Sequence, residues 1–273
     1  MPVAPPGAEF HYFNPNYATL GHLVEMASGL PYAEYLRKHV LEPLGMERTF
    51  TDPRAARAAG LARGHLLAFG VAWPREQRYR AFGLPAGYLM STANDMARFL
   101  LAMNGGGALD GARVLSRCRM LMLHAPNPPS GVYAAGWVVG SHRGRRMVQH
   151  GGTNEYFKAE AVLLPDLDLA VVLLANQSSL PSAIVAYGDL RTGVLDLLVG
   201  VAPTSPPVGM RTVGVLLALA FAVQLAWIAR DARRLPRWRE RAARWRAPPY
   251  GRKGTCWSSP ARAPRSTTRS STS

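Results

Sequence analysis

One segment near the C-terminus has the length and composition of a membrane-spanning helix. Residues 212–229 read TVGVLLALAFAVQLAWIA, carry no charge, and contain Gln224 as their only strongly polar side chain. At about 1.5 Å of rise per residue they form a helix of roughly 27 Å, close to the ~30 Å hydrocarbon core of a bilayer. A buried core helix is the alternative, although core helices are seldom apolar on every face. The segment therefore separates a body from a C-terminal tail, residues 230–273.

Most of the positive charge of the chain lies after this segment. The net charge is +15, and residues 230–273 hold 13 Lys and Arg against 2 acidic residues, whereas residues 1–229 hold 19 against 15. An excess of basic residues after an apolar span predicts a single-pass protein with a cytoplasmic tail and a body on the other side of the membrane. Residues 1–30 show no basic region followed by an apolar run that would export the body, so we expect upstream sequence to be missing.

The basic tail raises the question of a nucleic-acid partner. Basic clusters bind nucleic acid when they lie on a folded surface, but this tail starts directly at the predicted span and is held at the bilayer. There, each basic residue near an anionic surface gains about 1 kcal/mol. We therefore expect contact with lipid and no nucleic-acid partner. The whole tail, residues 230–273, is predicted to be disordered, and residues 248–273 in particular are rich in Ser, Thr, Arg and Pro and have no periodicity.

The cysteines exclude two classes of small stabilised domain. Cys118 and Cys256 are too few for a disulfide framework, and their spacing fits neither a zinc site nor a redox pair. We therefore expect no metal and no cofactor. Hydrophobic residues make up 48% of the chain and charged residues 18%, which is typical of a globular protein that buries a core.

The hydrophobic patterns of the body predict helices first and an antiparallel sheet later. Helices are predicted over residues 14–29, 31–40, 92–104 and 182–199. One face of the first helix is predicted to carry Tyr17, Leu20, Leu23, Val24 and Ala27. Strands are predicted over residues 136–139, 146–150, 156–164 and 169–175, with turns at 140–144 and 165–168. Residues 50–86 look irregular and residues 202–209 form a linker, so the body, residues 1–200, is predicted to be an α+β domain.

The first candidate site is Tyr12-Phe13-Asn14, directly ahead of a predicted helix. A phenol and an amide two residues apart can project from one loop into one cleft. The alternative is that Asn14 caps the helix and that Tyr12 is a packing aromatic residue.

The second candidate site is His150-Gly151-Gly152-Thr153, at the end of an apolar strand. Two glycines let a ligand approach the main-chain N–H groups closely, and histidine can form hydrogen bonds or carry charge near neutral pH. The alternative is a β-bulge or turn with an exposed histidine. For a third stretch, residues 84–92, a loop leading into a capped helix is favoured over a catalytic role.

Taken in order, these stretches resemble the serine hydrolases of the class C beta-lactamase and DD-peptidase-like superfamily. The resemblance runs from about residue 3 to residue 200 and implies a beta-lactamase/transpeptidase-like fold, an antiparallel sheet with packed helices and a helical subdomain. It is carried by Pro5-Pro6-Gly7, residues 10–17, Leu20-Gly21, Ser28-Gly29, residues 42–46, Pro85-Ala86-Gly87, Ser91-Thr92 with Asp95, Gly136-Trp137, residues 150–153 and residues 171–176.

The resemblance implies roles for the two candidate sites. In this superfamily a serine on a Ser-x-x-Lys helix attacks an acyl carbonyl, and a Tyr-x-Asn tyrosine helps to move the proton. By position, Tyr12 corresponds to that tyrosine and Asn14 to the contact with the substrate amide. The strand motif that closes the cleft corresponds to His150-Gly151-Gly152, and the N–H of Thr153 to an oxyanion donor. Phe13 departs from the motif, since a small or polar residue is common there, and it narrows the cleft.

A larger departure concerns the nucleophile. The chain has three lysines, and none has a serine three residues before it: Lys38 follows Tyr35, Lys158 follows Glu155, and Lys253 follows Tyr250. We therefore interpret the chain as the C-terminal part of a membrane-anchored serine hydrolase, incomplete at the N-terminus and inactive alone. The alternative is a non-catalytic, membrane-tethered module that keeps the cleft for an acyl or peptide ligand. An ester, a D-amino-acid peptide and a lactam all remain open as substrates.

Overall fold

The computed structural model describes residues 4–5, 7–68, 71–179, 187–204 and 210–244. Its helices are α1 (Pro15–Ser28), α2 (Tyr32–Leu36), α3 (Pro53–Ala58), α4 (Leu84–Gly87), α5 (Ala93–Asn104), α6 (Arg117–Leu123), α7 (Tyr187–Leu198) and α8 (Met210–Arg244). Its strands are β1 (Gly64–Ala68), β2 (Val71–Arg75), β3 (Ala108–Leu109), β4 (Ala112–Arg113), β5 (Val138–His142), β6 (Arg145–Thr153), β7 (Lys158–Leu164), β8 (Leu169–Ala175) and β9 (Gln177–Ser178). A π-helical turn, Arg37–Leu41, follows α2, and 3-10 turns lie at Ala81–Gly83 and Pro165–Leu167. By their contacts the residues fall into two compact units, Met1–Leu219 and Ala220–Ser273.

A four-stranded antiparallel sheet in the order β5-β6-β7-β8 forms the centre of the first unit. Successive residues of β6 belong to different hydrophobic clusters, because side chains of a strand alternate between the two faces of a sheet. Val148 packs in the cluster that contains Leu100 of α5. Met147 packs on the other face, in the cluster that contains Leu195 of α7. The predicted α+β fold, with helices on an antiparallel sheet, is confirmed.

The prediction that residues 50–86 are irregular is wrong. The stretch contains α3, the antiparallel pair β1 and β2, and the short α4. Helix α3 starts at Asp52, whose carboxylate accepts a hydrogen bond of 2.9 Å from the N–H of Arg54, with Pro53 in the first turn. Strand β1 also pairs in parallel with β9, which gives a small sheet in the order β2-β1-β9. The sequence signals are weak here because each element has only four to six residues.

The first predicted helix is confirmed, but not its cap. Helix α1 starts at Pro15 and ends before Gly29, whose φ of 69° gives the left-handed conformation that glycine adopts easily. Asn14 stands at the N-cap position with helical backbone angles and forms no capping hydrogen bond through its side chain. The helix therefore starts on proline geometry alone, and the side chain of Asn14 stays exposed.

The later helices follow their sequence signals more closely. In α5 the hydroxyl of Thr92 accepts a hydrogen bond of 3.3 Å from the N–H of Asp95, as the capping pattern predicts, and the helix ends before Gly105. The second predicted helix is divided between α2 and the π-helical turn. The start of the predicted helix 182–199 lies outside the described residues, and its remainder is α7.

The hairpin between β5 and β6 turns in two residues, not in the five that were predicted. His142 pairs with Arg145, which leaves Arg143 and Gly144 as the loop. Their φ angles are 50° and 78°, as expected for a type I′ turn that matches the twist of the strands. Strand β6 continues to Thr153, so the predicted His-Gly-Gly motif lies within a paired strand.

Helix α8 covers the predicted span and continues beyond it. Residues Thr212–Arg234 form a helix long and apolar enough to cross a membrane, and its apolar part is almost entirely exposed. The helix then runs to Arg244, whereas disorder was predicted from residue 230. Arginine, alanine and glutamate favour helix there. Part of the predicted linker 202–209 and all of the tail after residue 244 lie outside the described residues.

Candidate active site

Tyr12 and His150, from distant parts of the sequence, lie next to each other. Their ring centroids are 6.3 Å apart, and the ring of Tyr12 packs edge-on against Tyr133 at 5.8 Å. Tyr12 stands in the loop before α1 and is 53% exposed. The structure therefore brings the two motifs singled out in the sequence to one place.

His150 is oriented by the main chain. Its Nδ1 forms a hydrogen bond with the carbonyl oxygen of Gly136. Because a carbonyl oxygen only accepts, Nδ1 carries a hydrogen, and the neutral ring then has its lone pair on Nε2. The ring of His150 also packs edge-on against Tyr133, with centroids 6.0 Å apart. These contacts hold the imidazole in one plane beside Tyr12.

The end of β6 has one open edge. Strand β5 pairs with β6 only as far as Gln149, whereas β7 pairs with it as far as Thr153. From His150 to Thr153, no strand in the described part of the chain pairs with β6 on the β5 side. Open main-chain edges of this kind bind extended ligands through their N–H and C=O groups. The oxyanion role of the Thr153 N–H stays a prediction.

The two glycines of the motif differ in their surroundings. A Cβ atom on Gly151 would lie 2.6 and 2.7 Å from the carboxylate oxygens of Glu160, whereas one on Gly152 would meet nothing within 4 Å. Glu160 is buried, and its carboxylate is 2.8 Å from Nζ of Lys158 and 3.7 Å from a guanidinium nitrogen of Arg191. Gly151 therefore makes room for a buried ion-pair cluster behind the strand, while Gly152 leaves space on the open side.

The site also contains a pair of tyrosines, Tyr17 and Tyr133, that the sequence analysis did not identify. The hydroxyl oxygens of Tyr17 and Tyr133 are 2.8 Å apart. Burial and then the hydrogen bond with Tyr17 raise the pKa of Tyr133 far above its ordinary value, and burial and then Tyr17 raise the pKa of Tyr12. All of these effects favour neutral phenols. Helical spacing had placed Tyr17 on the apolar face of the first helix, but nothing local marked Tyr133.

The third stretch singled out in the sequence is structural. The hydroxyl of Ser91 shares a hydrogen bond of 2.7 Å with that of Thr49, which also donates to the buried carboxylate of Asp95 at 2.7 Å. Asp95 in turn accepts from the N–H of Arg48 at 2.8 Å. Ser91 is thus part of a capping network at the start of α5. Within the described ranges, no three His, Cys, Asp or Glu side chains come together as metal ligands would.

Comparison with known proteins gives relatives for most of the body. "Protein flp" of Staphylococcus aureus (strain MW2) is 25% identical over 174 residues, which are 64% of this chain and 34% of that protein. "Unguisins hydrolase ungD'" of Aspergillus campestris is 28% identical over 189 residues, 63% of this chain and 34% of that protein. The chain thus spans about a third of the length of these curated relatives.

Solved structures show the same fold. The octameric penicillin-binding protein homologue from Pyrococcus abyssi has a TM-score of 0.63 and 26% identity, over 74% of this chain and 45% of that one. A class C beta-lactamase has a TM-score of 0.61 and 18% identity, over 72% of this chain and 60% of that one. The family model described as Beta-lactamase matches residues 1–191, more than half of the sequence. The chain therefore belongs to the beta-lactamase family.

Proposed function

We propose that the body is the part of a membrane-anchored acyl-serine hydrolase that orients the substrate and moves the proton. No Ser-x-x-Lys motif occurs in the 273 residues, and we place the serine nucleophile outside them. The observation that supports this most is the ring of Tyr12 beside that of His150, 6.3 Å away, at the open edge of β6. The substrate is an acyl ester, amide or peptide.

In the reaction, the serine oxygen attacks the acyl carbonyl carbon, and its proton passes to the oxygen of Tyr12. Tyr12 returns that proton to the leaving oxygen or nitrogen as the bond between that atom and the carbonyl carbon breaks, which leaves the acyl group on the serine. The N–H of Thr153 donates a hydrogen bond to the developing oxyanion. Asn14 contacts the substrate amide, and His150 orients the substrate at the strand. Water then hydrolyses the acyl-serine and frees the acid.

The electrostatics of Tyr12 indicate that this site needs a further group. A phenol accepts a proton only after it has lost its own, but burial and Tyr17 raise the pKa of Tyr12 above its ordinary value of about 10. A positive charge beside the hydroxyl would lower that pKa. The lysine of a Ser-x-x-Lys motif would provide the charge together with the nucleophile, and none of the three lysines of the chain follows a serine at that spacing.

Two apolar surfaces support the same proposal. On α1, Leu20 and Leu23 of the predicted apolar face are 54% and 53% exposed. Met26 on the same helix is 71% exposed. Strand β8, with the sequence LAVVLLA, has only one strand neighbour in the described part of the chain. Natural proteins cover long apolar edges and patches, and we propose that the complete hydrolase covers these.

Membrane anchoring is the second part of the proposal. Residues 212–229 cross the bilayer once, the tail is cytoplasmic, and the hydrolase domain lies on the opposite side. The apolar helix Thr212–Arg234 and the eight arginines between residues 230 and 246 support this orientation.

The alternative from another class is a non-catalytic, membrane-tethered module that binds an acyl or peptide ligand in the cleft. The lack of a Ser-x-x-Lys motif in the sequence favours it. Reading the genomic DNA upstream of Met1 separates the two proposals. An in-frame Ser-x-x-Lys after an export signal, followed by ester or amide hydrolysis by the encoded protein, supports the hydrolase. An uninterrupted upstream reading frame without the motif, or no such frame, contradicts it and supports the binding module.

A further inference from the structure

Two alanines and three arginines lie together on one side of α8, at the point where its apolar part ends. Ala226, Ala229, Arg230, Arg233 and Arg234 line a surface concavity with a volume of about 500 Å³. Spacings of three and four residues place side chains next to each other on one side of a helix. All five residues are exposed, and all belong to the second compact unit. The small alanine side chains leave an indentation directly beside three guanidinium groups.

We propose that this concavity, the arginine notch, binds the phosphate of an anionic phospholipid. The inference rests on the membrane anchor of the proposed function and goes beyond it, because an anchor needs only the apolar residues. Guanidinium groups bind phosphate oxygens through paired N–H donors, and three of them within two helical turns exceed what one phosphate diester charge requires. The notch thus favours a lipid with net negative charge over a zwitterionic one.

The charges in the notch are largely available. Arg230 has one acidic neighbour, Asp231, at 3.9 Å between Nε and the nearer carboxylate oxygen, which is too long for a hydrogen bond. Its guanidinium carbon also lies 5.1 Å from the ring centroid of Trp227, a cation–π contact that keeps the group close to the helix. Within the part of α8 whose side chains are described, no ion pair is formed by Arg233 or Arg234.

The position of the notch selects a lipid over a soluble phosphate. The uncharged run ends at Ala229, so the arginines emerge at the level of the headgroups when the run spans the hydrocarbon core. Trp227 is of the residue type that lies at this interface. The two alanines belong to the uncharged run, so they lie on the hydrocarbon side of the arginines when that run spans the bilayer. A phospholipid matches both parts of the notch, because its phosphate can contact the arginines and its acyl chains can contact the alanines. Inorganic phosphate matches only the arginines.

The test compares lipid selectivity of the full chain in vesicles of phosphatidylcholine with a minor share of phosphatidylglycerol. Spin-labelled forms of both lipids report their relative association with the protein. The notch variant is R230Q/R233Q/R234Q, and the matched control is R239Q/R241Q/R244Q, which removes the same charge farther along α8. We expect the parent and the control to prefer phosphatidylglycerol by about fivefold or more, and the notch variant by less than about twofold.

Three results would overturn the proposal. If the notch variant and the control lost the preference for phosphatidylglycerol to the same extent, the preference would come from the total charge of the helix and not from the notch. No preference in the parent would show that there is no site. Displacement of the labelled lipid by millimolar inorganic phosphate at constant ionic strength would show a site for soluble phosphate. Resistance to extraction with alkaline carbonate is measured in parallel. Extraction of the chain by carbonate would contradict both the anchor and the notch. A chain that stays in the membrane but shows no preference for phosphatidylglycerol would contradict the notch alone.

Discussion

The hydroxyl groups of Tyr17 and Tyr133 form a hydrogen bond of 2.8 Å across 116 positions of sequence. Tyr17 belongs to α1, the helix that directly follows the Tyr-x-Asn segment. The ring of Tyr133 packs against the rings of both Tyr12 and His150. The hydrogen bond therefore links the helix that follows the proposed proton shuttle to the aromatic residue that packs against both Tyr12 and His150.

Removal of this hydrogen bond should destabilise the body. In Tyr17→Phe the hydroxyl of Tyr133, a buried residue, loses its partner, so we expect the free energy of unfolding to fall by about 1–3 kcal/mol. Tyr12→Phe, at a half-exposed position, should change it by less than about 0.5 kcal/mol. Urea unfolding followed by circular dichroism measures both. Equal effects of the two substitutions would show that the hydrogen bond between the phenols has no special role.

The 273-residue chain should not react with serine-directed probes. We expect no labelling by a fluorophosphonate or a fluorescent penicillin, because the chain has no Ser-x-x-Lys motif. A class C beta-lactamase labelled in parallel serves as the positive control. If the chain were labelled and Ser91→Ala abolished the label, the nucleophile would be Ser91 despite its 2.7 Å hydrogen bond with Thr49, and the proposed incompleteness would be wrong.

In a hydrolase completed with its nucleophile, Tyr12 should matter for turnover and His150 for binding. We expect Tyr12→Phe to lower kcat by about 10²- to 10⁴-fold, the usual loss when positioned proton transfer is removed. His150→Ala should mainly raise KM, because that ring orients the substrate. Steady-state kinetics on folded variants test this. A kcat for Tyr12→Phe within a few-fold of the parent would return Tyr12 to the role of a packing aromatic residue.

The two glycines of the strand motif should respond differently to alanine. Gly151→Ala places a methyl group less than 3 Å from the carboxylate of Glu160, which must move, so we expect a loss of about 1–3 kcal/mol in stability. Gly152→Ala meets no atom within 4 Å and should leave stability nearly unchanged. Thermal unfolding of both variants decides the matter. A stable Gly151→Ala protein would mean that Glu160 has room to withdraw.

A buried carboxylate between the β5–β6 hairpin and α7 should make stability depend on acid pH. Asp196 accepts hydrogen bonds of 2.9 and 3.0 Å from the guanidinium of Arg143 and lies 2.9 Å from Nε2 of His142. The Arg143 hydrogen bonds lower the pKa of Asp196 in the folded protein below its ordinary value of 3.8. The stabilisation is therefore complete above the unfolded pKa and is lost as pH falls through the lower, folded one.

The measurement compares the parent with Asp196→Asn, which removes the titrating group. Their unfolding free energies should differ at pH 6 and converge toward pH 2. Asp189→Asn, an exposed acidic position on the same helix, is the control and should follow the parent throughout. A constant difference between the parent and Asp196→Asn at all pH values would contradict the role of the ionised carboxylate.

The sequence was most informative where a local signal also determines the structure. The strand 169–175 is as predicted, because an unbroken apolar run marks it in the sequence. The cap at Thr92 is also as predicted, because its hydroxyl needs only the N–H three residues later and no distant partner. The ordered motifs that mark the family likewise made Tyr12 and His150 candidates before their proximity was visible. The end of β6 is determined by its pairing with β7, which continues to Thr153. The apolar pattern alone could not predict this extension.

What the sequence could not show depends on tertiary contacts. The position of Tyr133 beside the two candidate residues arises from a loop that has no periodic pattern. Exposure of Leu20 and Leu23 depends on what lies next to α1, whereas spacing only tells which residues share a face. The helix after Ala229 was also missed, because disorder was predicted for the whole basic tail although arginine is a strong helix former.

The two-residue turn at Arg143-Gly144 makes the chemistry of β6 sensitive to chain length. The side chains of Val148 and His150 project from one face of the sheet. The side chain of Met147 projects from the other face, to which Gly151 also belongs. One residue inserted into the turn and accommodated by a slip along β7 would put the imidazole on the side of α7 and Gln149 beside Tyr12. Every residue of the site would still be present. Insertions and deletions in this hairpin should thus be tolerated far less than substitutions on the outer face of its loop.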